Sequence, residues 1–221
     1  IKCLQDYTGE QVFEGLEPNP MLLIELDGSE TEVSRQSGIL NDWLSKHSLA
    51  FRVAKSEEEA ENLWQVRRQG SSAMKKLAST KLNEDVVVPL DKQVDLVCFV
   101  ESLRLQFNLK IGVFGHCGDG NLHVNFMYNE EDEEETTRSV EALTSLMKKV
   151  IELGGAISGE HGIGLAKTPF VRDQFNQAEW EVMKSIKQSL DPNGILNPGK
   201  IFQIFKPWEK EKLKVDLHWE K

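Results

Sequence analysis

The chain has 221 residues, 26 Lys plus Arg against 36 Asp plus Glu, and a formal net charge of −10. Its 39% hydrophobic and 28% charged residues are those of an ordinary globular protein, long enough to bury a core without disulfides or a structural metal. Fibrous and disulfide-scaffold architectures are excluded, and the acidic balance repels phosphate backbone, so nucleic acid is not an expected partner.

The opening residues, IKCLQDYTGEQVFEG, show no signal-peptide pattern and no initiator Met, so a processed or excised piece is expected. Met21–Leu26, MLLIEL, reads as a first short strand stopped at Asp27–Gly28. Thr31 to Lys46 carries Val33, Ile39, Leu40, Trp43 and Leu44 at helical spacing. Leu49–Ala54 reads as a second strand. Ser56 with Glu59 is a capping-box start for a helix through about Leu77. Asp85–Leu90, DVVVPL, reads as a third strand, and Lys92–Phe107 as an amphipathic helix with Val94, Leu96, Val97, Val100, Leu103 and Leu105. Lys110–Phe114 and Leu122–Tyr128 read as two strands joined by a Gly-rich turn. The acidic run ending at Glu135 suits the N-terminus of a helix from about Thr136 to Leu153, and a last helix covers about Ala178–Leu190.

Alternating short strands and helices predict an α+β fold, an antiparallel or mixed sheet covered by helices. No apolar stretch approaches the ~20 residues of a membrane span. The three cysteines, Cys3, Cys98 and Cys117, are far apart and fit free thiols in a reducing compartment.

Nine of the 16 glycines fall in two short windows, which also hold or flank His116, His123 and His161 among the five histidines. Glycine permits close backbone approach, so both windows read as tight loops. In FGHCGDGNLHVNF, His116 closes one strand and His123 opens the next, which places them across a hairpin mouth within reach of one ion, and imidazole suits Zn, Mn or Fe. Asp119 and Asn121 read as turn residues, and Cys117 as a small packed hydrophobe. ISGEHGIG supplies Glu160 and His161. Two His and one carboxylate with open positions make a catalytic rather than a structural metal set. Adjacent side chains of an extended segment point oppositely, which leaves His161 free as a base. In LWQVRRQGSS, Arg67 and Arg68 are candidates for holding a carboxylate. A metal-dependent hydrolase with a bound water as nucleophile, and a non-catalytic ferredoxin-like binding module, are alternative readings of the same residues.

Taken together, Gly115–Asn125 (GHCGDGNLHVN), Ile157–Gly164 (ISGEHGIG) and Asp191–Phe202 (DPNGILNPGKIF), with Leu63–Arg67 and Asp85–Pro89 more loosely, resemble the C-terminal domain of FAD-linked oxidoreductases of the vanillyl-alcohol oxidase type. Within that family they are similar to the D-2-hydroxyacid dehydrogenases, which include D-lactate dehydrogenase, D-2-hydroxyglutarate dehydrogenase and the glycolate oxidase D subunit. The resemblance implies a ferredoxin-like substrate domain over residues 21–202, after a lead-in over 1–20 and before a charged tail over 203–221. It implies that His116, His123 and Glu160 bind a divalent metal, usually zinc. It makes Arg67, Ser71 and Asn125 substrate-binding positions, His161 the general base, and Asn197 and Lys200 neighbours of the flavin. Asn83 departs from the pattern, since some relatives carry a Lys there, and this puts a second substrate carboxylate in doubt.

The implied reaction is oxidation of a D-2-hydroxy acid to a 2-oxo acid, with the proton taken by His161 and the hydride by FAD. Members carry about 200 further residues upstream for FAD, in line with a usual domain size, so a fragment inactive alone is expected. The expected partners are a small 2-hydroxycarboxylate and the chain's own FAD-binding domain. Association of two copies is left open, and the electron acceptor is not indicated. The expected location is cytoplasmic, or mitochondrial in a eukaryote.

Overall fold

A computed structural model describes residues 2–8, 20–47, 50–204 and 206. The chain divides into two compact units, residues 1–77 and 78–221.

The first unit is helical. Helix α1 spans Lys2–Thr8, α2 Glu30–His47 and α3 Glu57–Met74, and α1 packs on α3. Ser56 caps α3 as expected, its side chain accepting from the Glu59 amide at 3.2 Å, but the reciprocal bond falls one residue early: Glu59 Oε2 accepts from the Lys55 amide at 2.8 Å and not from that of Ser56. Neither of the two strands expected here forms. Residues 21–26 and 50–54 run without a ladder partner among the described residues, and Leu49 lies outside them. Met21, Leu22, Ile24, Phe51 and Val53 are exposed. An apolar run becomes a strand only when a neighbour takes its backbone hydrogen bonds.

The second unit is the α+β layer structure. Strands β1 (Thr80–Val87), β2 (Lys110–His116) and β3 (Asn121–Tyr128) form an antiparallel sheet in the order β1-β3-β2. Of the five strands the sequence suggests, three form. β1 begins five residues before Asp85, where the sequence pattern starts it, because TKLNE holds a single apolar residue, Leu82, and it ends at Val87, before Leu90 enters a 3-10 turn.

Helices α4 (Gln93–Gln106) and α5 (Glu133–Glu152) pack against one face of the sheet. The core joins Val86, Leu122, Val124 and Phe126 of the sheet to Leu96, Val100 and Leu103 of α4 and Ala142, Leu143, Leu146 and Val150 of α5. Phe99 of α4 packs against this core partly buried, whereas Val94, Val97 and Leu105 are exposed. Helix α5 begins inside the acidic run. Asp132 caps it by accepting from the Glu135 amide at 2.9 Å, and Glu133, Glu134 and Glu135 fill the first turn, where the helix dipole favours negative charge.

Helix α6 (Thr168–Gln174), which the sequence reading missed, buries Phe170 and Val171. Helix α7 (Gln177–Leu190) follows, started by an Asn176–Glu179 capping box. No helix among the described residues is long and apolar enough to cross a membrane.

Candidate metal and substrate site

The sheet face away from α4 and α5 carries the chemistry. Side chains alternate along a strand, so the cross-strand rows Asn83–Asn125–Gly112, Asp85–His123–Phe114 and Val87–Asn121–His116 all project from this face. His116 and His123 are therefore diagonal neighbours and not an opposed pair. The loop between them is shorter than expected, three residues of 3-10 turn followed by Gly120 in the left-handed region (φ 75°). Any Cβ at Gly120 would run into the Val88 carbonyl oxygen. The two imidazole rings meet edge to face with centroids 5.6 Å apart.

Glu160 comes to them from the loop after α5. Its Oε1 lies 3.1 Å from His123 Nε2 and 3.7 Å from His116 Nε2, and one ligand atom from each of the three residues falls within 4.8 Å of the others. His123 is buried, whereas His116 and Glu160 are about half exposed. One side of the cluster is thus fixed by the sheet and the other is open to a ligand. Burial, with the nearby His161 and His116, pulls His123 below the usual imidazole range, and Asp85 and Glu160 offset part of that.

The loop does not run extended through Glu160 and His161. It curls, and His161 Nε2 ends 3.8 Å from Glu160 Oε1, with its ring stacked on His123 at 5.1 Å. The two neighbours share one side because their amides converge on a single oxygen, Asp85 Oδ2, which accepts from Gly159 (2.8 Å), Glu160 (2.9 Å) and His161 (2.9 Å). Asp85 Oδ1 accepts from Asn121 Nδ2 at 2.6 Å, and Lys167 Nζ stands 3.6 Å from Oδ2. Burial alone would raise the Asp85 carboxyl, but these donors and the lysine charge outweigh it and hold the group well below the usual carboxylate range. Asn121 is consequently a strand residue bound to Asp85, not a turn residue, and Cys117 is exposed rather than packed.

The sequence reading passed over Asp85 and Lys167 as parts of the site. Its one visible signal was a charged residue opening an apolar strand.

Glu84, the preceding residue, points the other way, into the helix-covered core opposite Val124, and its Oε2 has no hydrogen-bond partner among the described residues. Burial pushes its carboxyl up to about 7, Lys167 opposing and Asp85 adding to the shift. The folded state therefore holds this proton more tightly than the unfolded chain does. Glu84 contributes most below the usual carboxyl pKa of about 4.3, and that contribution is lost as pH rises through about 7, on the order of 3 kcal/mol in all. Urea unfolding between pH 4.5 and 7.5 should show this decline, and Glu84→Gln should flatten it; an unchanged slope would assign the decline to other groups.

Asn125 is fully buried. Its Nδ2 donates to the His123 carbonyl at 3.0 Å and the Gly112 carbonyl at 3.3 Å, while its Oδ1 and that of its cross-strand partner Asn83 accept nothing among the described residues. Two orphaned acceptors in the row beside His123 suit a ligand that brings a donor, such as a hydroxyl.

Arg67 and Ser71 lie one helical turn apart on α3, in the first unit, and both are half-buried. The neighbouring Arg68 pairs with Glu61 at the surface. Asn197 and Lys200 line a cleft of about 310 Å³ in the second unit, together with Ile163 and Gly164, which continue the His161 loop. The segment is tied down by Asp191, which accepts from the Ile195 and Leu196 amides at 2.9 Å each and pairs with Lys187. That pairing and those amides hold the Asp191 carboxyl below its usual range despite burial. Asn197 (φ 45°) and Ile201 (φ 71°) take left-handed backbone, rare for a β-branched residue.

The antiparallel α+β domain thus gathers two imidazoles, a carboxylate and a further histidine on one sheet face, a polar cluster compatible with a cation. Residues 2–201 match the family described as FAD linked oxidases, C-terminal domain, and the chain belongs to that family. The chain is 36% identical over 183 residues to the glycolate oxidase subunit GlcD of Bacillus subtilis, covering 82% of this chain and 39% of that protein. It is 32% identical over 209 residues to a D-lactate dehydrogenase of Anaerostipes hadrus, covering 89% and 43%. To the mitochondrial D-lactate dehydrogenase [cytochrome] of Arabidopsis thaliana it is 31% identical over 205 residues, covering 91% and 35%. The chain thus spans less than half the length of these relatives. A solved 4-ethylphenol oxidase from Gulosibacter chungangensis, in complex with isoeugenol, shares the fold with a TM-score of 0.52 at 16% identity, covering 81% of this chain and 38% of that one.

Proposed function

We propose that this chain is the substrate- and metal-binding part of a flavin-dependent dehydrogenase that oxidises a D-2-hydroxy acid to the 2-oxo acid. The observation that carries the reading is the meeting of His116, His123 and Glu160 from two separate glycine loops. Around a tetrahedral zinc, ligand atoms at about 2.0–2.2 Å from the ion stand a little over 3 Å apart, and the Glu160–His123 and Glu160–His116 separations of 3.1 and 3.7 Å suit that spacing. When bound, such a cation supplies Lewis acidity to a chelating hydroxyl and carboxylate, and FAD accepts the hydride.

The chain's own residues do the rest. His161, beside the ligand set and half exposed, accepts the hydroxyl proton. The buried Oδ1 of Asn125, which accepts nothing among the described residues, is the acceptor assigned to a donor of the substrate. The family resemblance makes Arg67 and Ser71, on α3 of the first unit, candidates for a substrate carboxylate, and Asn197 and Lys200 of the second unit candidates for flavin contact. A metal-free histidine–glutamate hydrogen-bond cluster is the second reading, favoured by the 3.1 Å His123–Glu160 contact, which is itself a good hydrogen-bond length.

Metal analysis after chelation, zinc loading and dialysis decides between them. One equivalent of zinc is expected for the unaltered chain and for His161→Ala, and none for His116→Ala. In the flavin-loaded protein, D-lactate, D-malate or D-2-hydroxyglutarate should bleach the flavin absorbance, and His161→Ala should abolish the bleaching. Zinc-free wild-type chain sinks the metal reading, and undiminished bleaching by His161→Ala removes the base assignment.

A further inference from the structure

Both arms of the ligand set lead to one carboxylate. Asp85 is fully buried on β1, and one of its oxygens collects the amides of Gly159, Glu160 and His161 in succession. Three convergent N–H groups make an anion nest. Held this way, the loop has one backbone course, and that course aims the Glu160 carboxylate and the His161 ring. The other arm is His123, the cross-strand partner of Asp85. Its Nδ1 is buried, has no hydrogen-bond partner among the described residues, and stands 3.9 Å from Asp85 Oδ1.

A ring that gives Nε2 to a cation carries its proton on Nδ1 and needs an acceptor for it. Among the described residues, Asp85 is the carboxylate that the structure sets beside that nitrogen. Asp85 also groups with His123 and His161 as a candidate ligand set in its own right, but Oδ2 already accepts from three amides and from Ser158 Oγ at 3.4 Å. Oδ1 accepts from Asn121 alone, which of about four acceptor positions on a carboxylate leaves one, on the oxygen nearest His123 Nδ1. Lys167, itself buried, compensates the charge and donates to the Asp85 carbonyl at 2.6 Å.

We propose that Asp85 is the positioning residue of the metal centre, fixing the Glu160–His161 loop through its amides and the His123 tautomer through Nδ1, without itself binding the ion. The proposal rests on the metal-site reading above.

Asp85→Asn keeps the volume but turns an NH2 toward either the three amides or His123. In the full 221-residue chain its zinc affinity, measured by competition with a chromophoric chelator, should fall about 10–100-fold. Long-range 1H–15N spectra of the zinc-loaded wild-type chain should show a His123 Nδ1 proton protected from exchange, and this protection should vanish in the folded variant. Equal zinc affinities in wild type and variant overturn the proposal and leave the metal site standing. Should the variant fail to fold, the wild-type spectrum decides: a protected Nδ1 proton supports the proposal, and a metal-bound or unprotonated Nδ1 overturns it. Wild-type chain that binds no zinc overturns the metal reading and this proposal together.

Discussion

His123→Ala is expected to remove stoichiometric metal from the chain and to lower its stability by about 2–4 kcal/mol, the usual cost of truncating a large buried side chain. The ring is about 4% exposed, belongs to both groups of candidate ligands, and packs against Phe114 at 5.1 Å as well as His116 and His161. Its loss empties a packed position and leaves Glu160 without its nearest partner. His116→Ala offers the contrast: that ring is about half exposed, so metal should be lost with little change in unfolding free energy. Metal analysis and chemical denaturation of the two variants side by side test both halves. Retention of one equivalent of zinc by His123→Ala would show that the site is organised around other residues.

Gly159→Ala is expected to abolish metal binding although it alters no ligand. A Cβ at this position would overlap the Asn121 carboxamide nitrogen and come within 2.6 Å of Asp85 Oδ1 and 2.9 Å of Val87 Cγ2. Its neighbours cannot give way, because Asn121 and Asp85 are buried and hydrogen-bonded to each other. The loop must lift, and Asp85 loses amide donors that a buried carboxylate needs. Each hydrogen bond to a charged group contributes about 1.5–3 kcal/mol. Gly118→Ala is the control from the other glycine window: its added Cβ meets nothing within 4 Å and no positive φ stands against it, so metal binding and the thermal midpoint should stay at the wild-type level. Gly159→Ala that binds zinc as wild type does would show that the close contact at Gly159 does not anchor the loop.

The ligand candidates were legible because their geometry is local. His116 and His123 flank one hairpin turn, and Glu160 and His161 sit together in one glycine loop, so residue types and spacing put each pair on the same small piece of chain. Helix starts were legible for the same reason: Ser56 with Glu59 is a contact over three residues. Asp85 was not legible as the centre of the site, since its donors lie 36 to 82 positions away in sequence and no local pattern encodes them. Nor was helix α6, seven residues opened by Thr168 and Pro169, too short for a helical period to register. The runs at 21–26 and 50–54 show the converse error, since strand-forming residues without a hydrogen-bonding neighbour make no strand.

From residues alone came the α+β class, the capped helix starts, the two glycine windows and the family to which the chain belongs, because each is carried by short-range periodicity or by a contiguous motif. Folding decided the rest. It set the order of the strands and the diagonal placement of the two hairpin histidines. It curled the Glu160 loop onto a buried carboxylate, and it placed Glu84 in the core with a proton it releases only near neutral pH. Such features depend on which distant segments share a desolvated space, and a buried charge acquires its partners only once that space has closed.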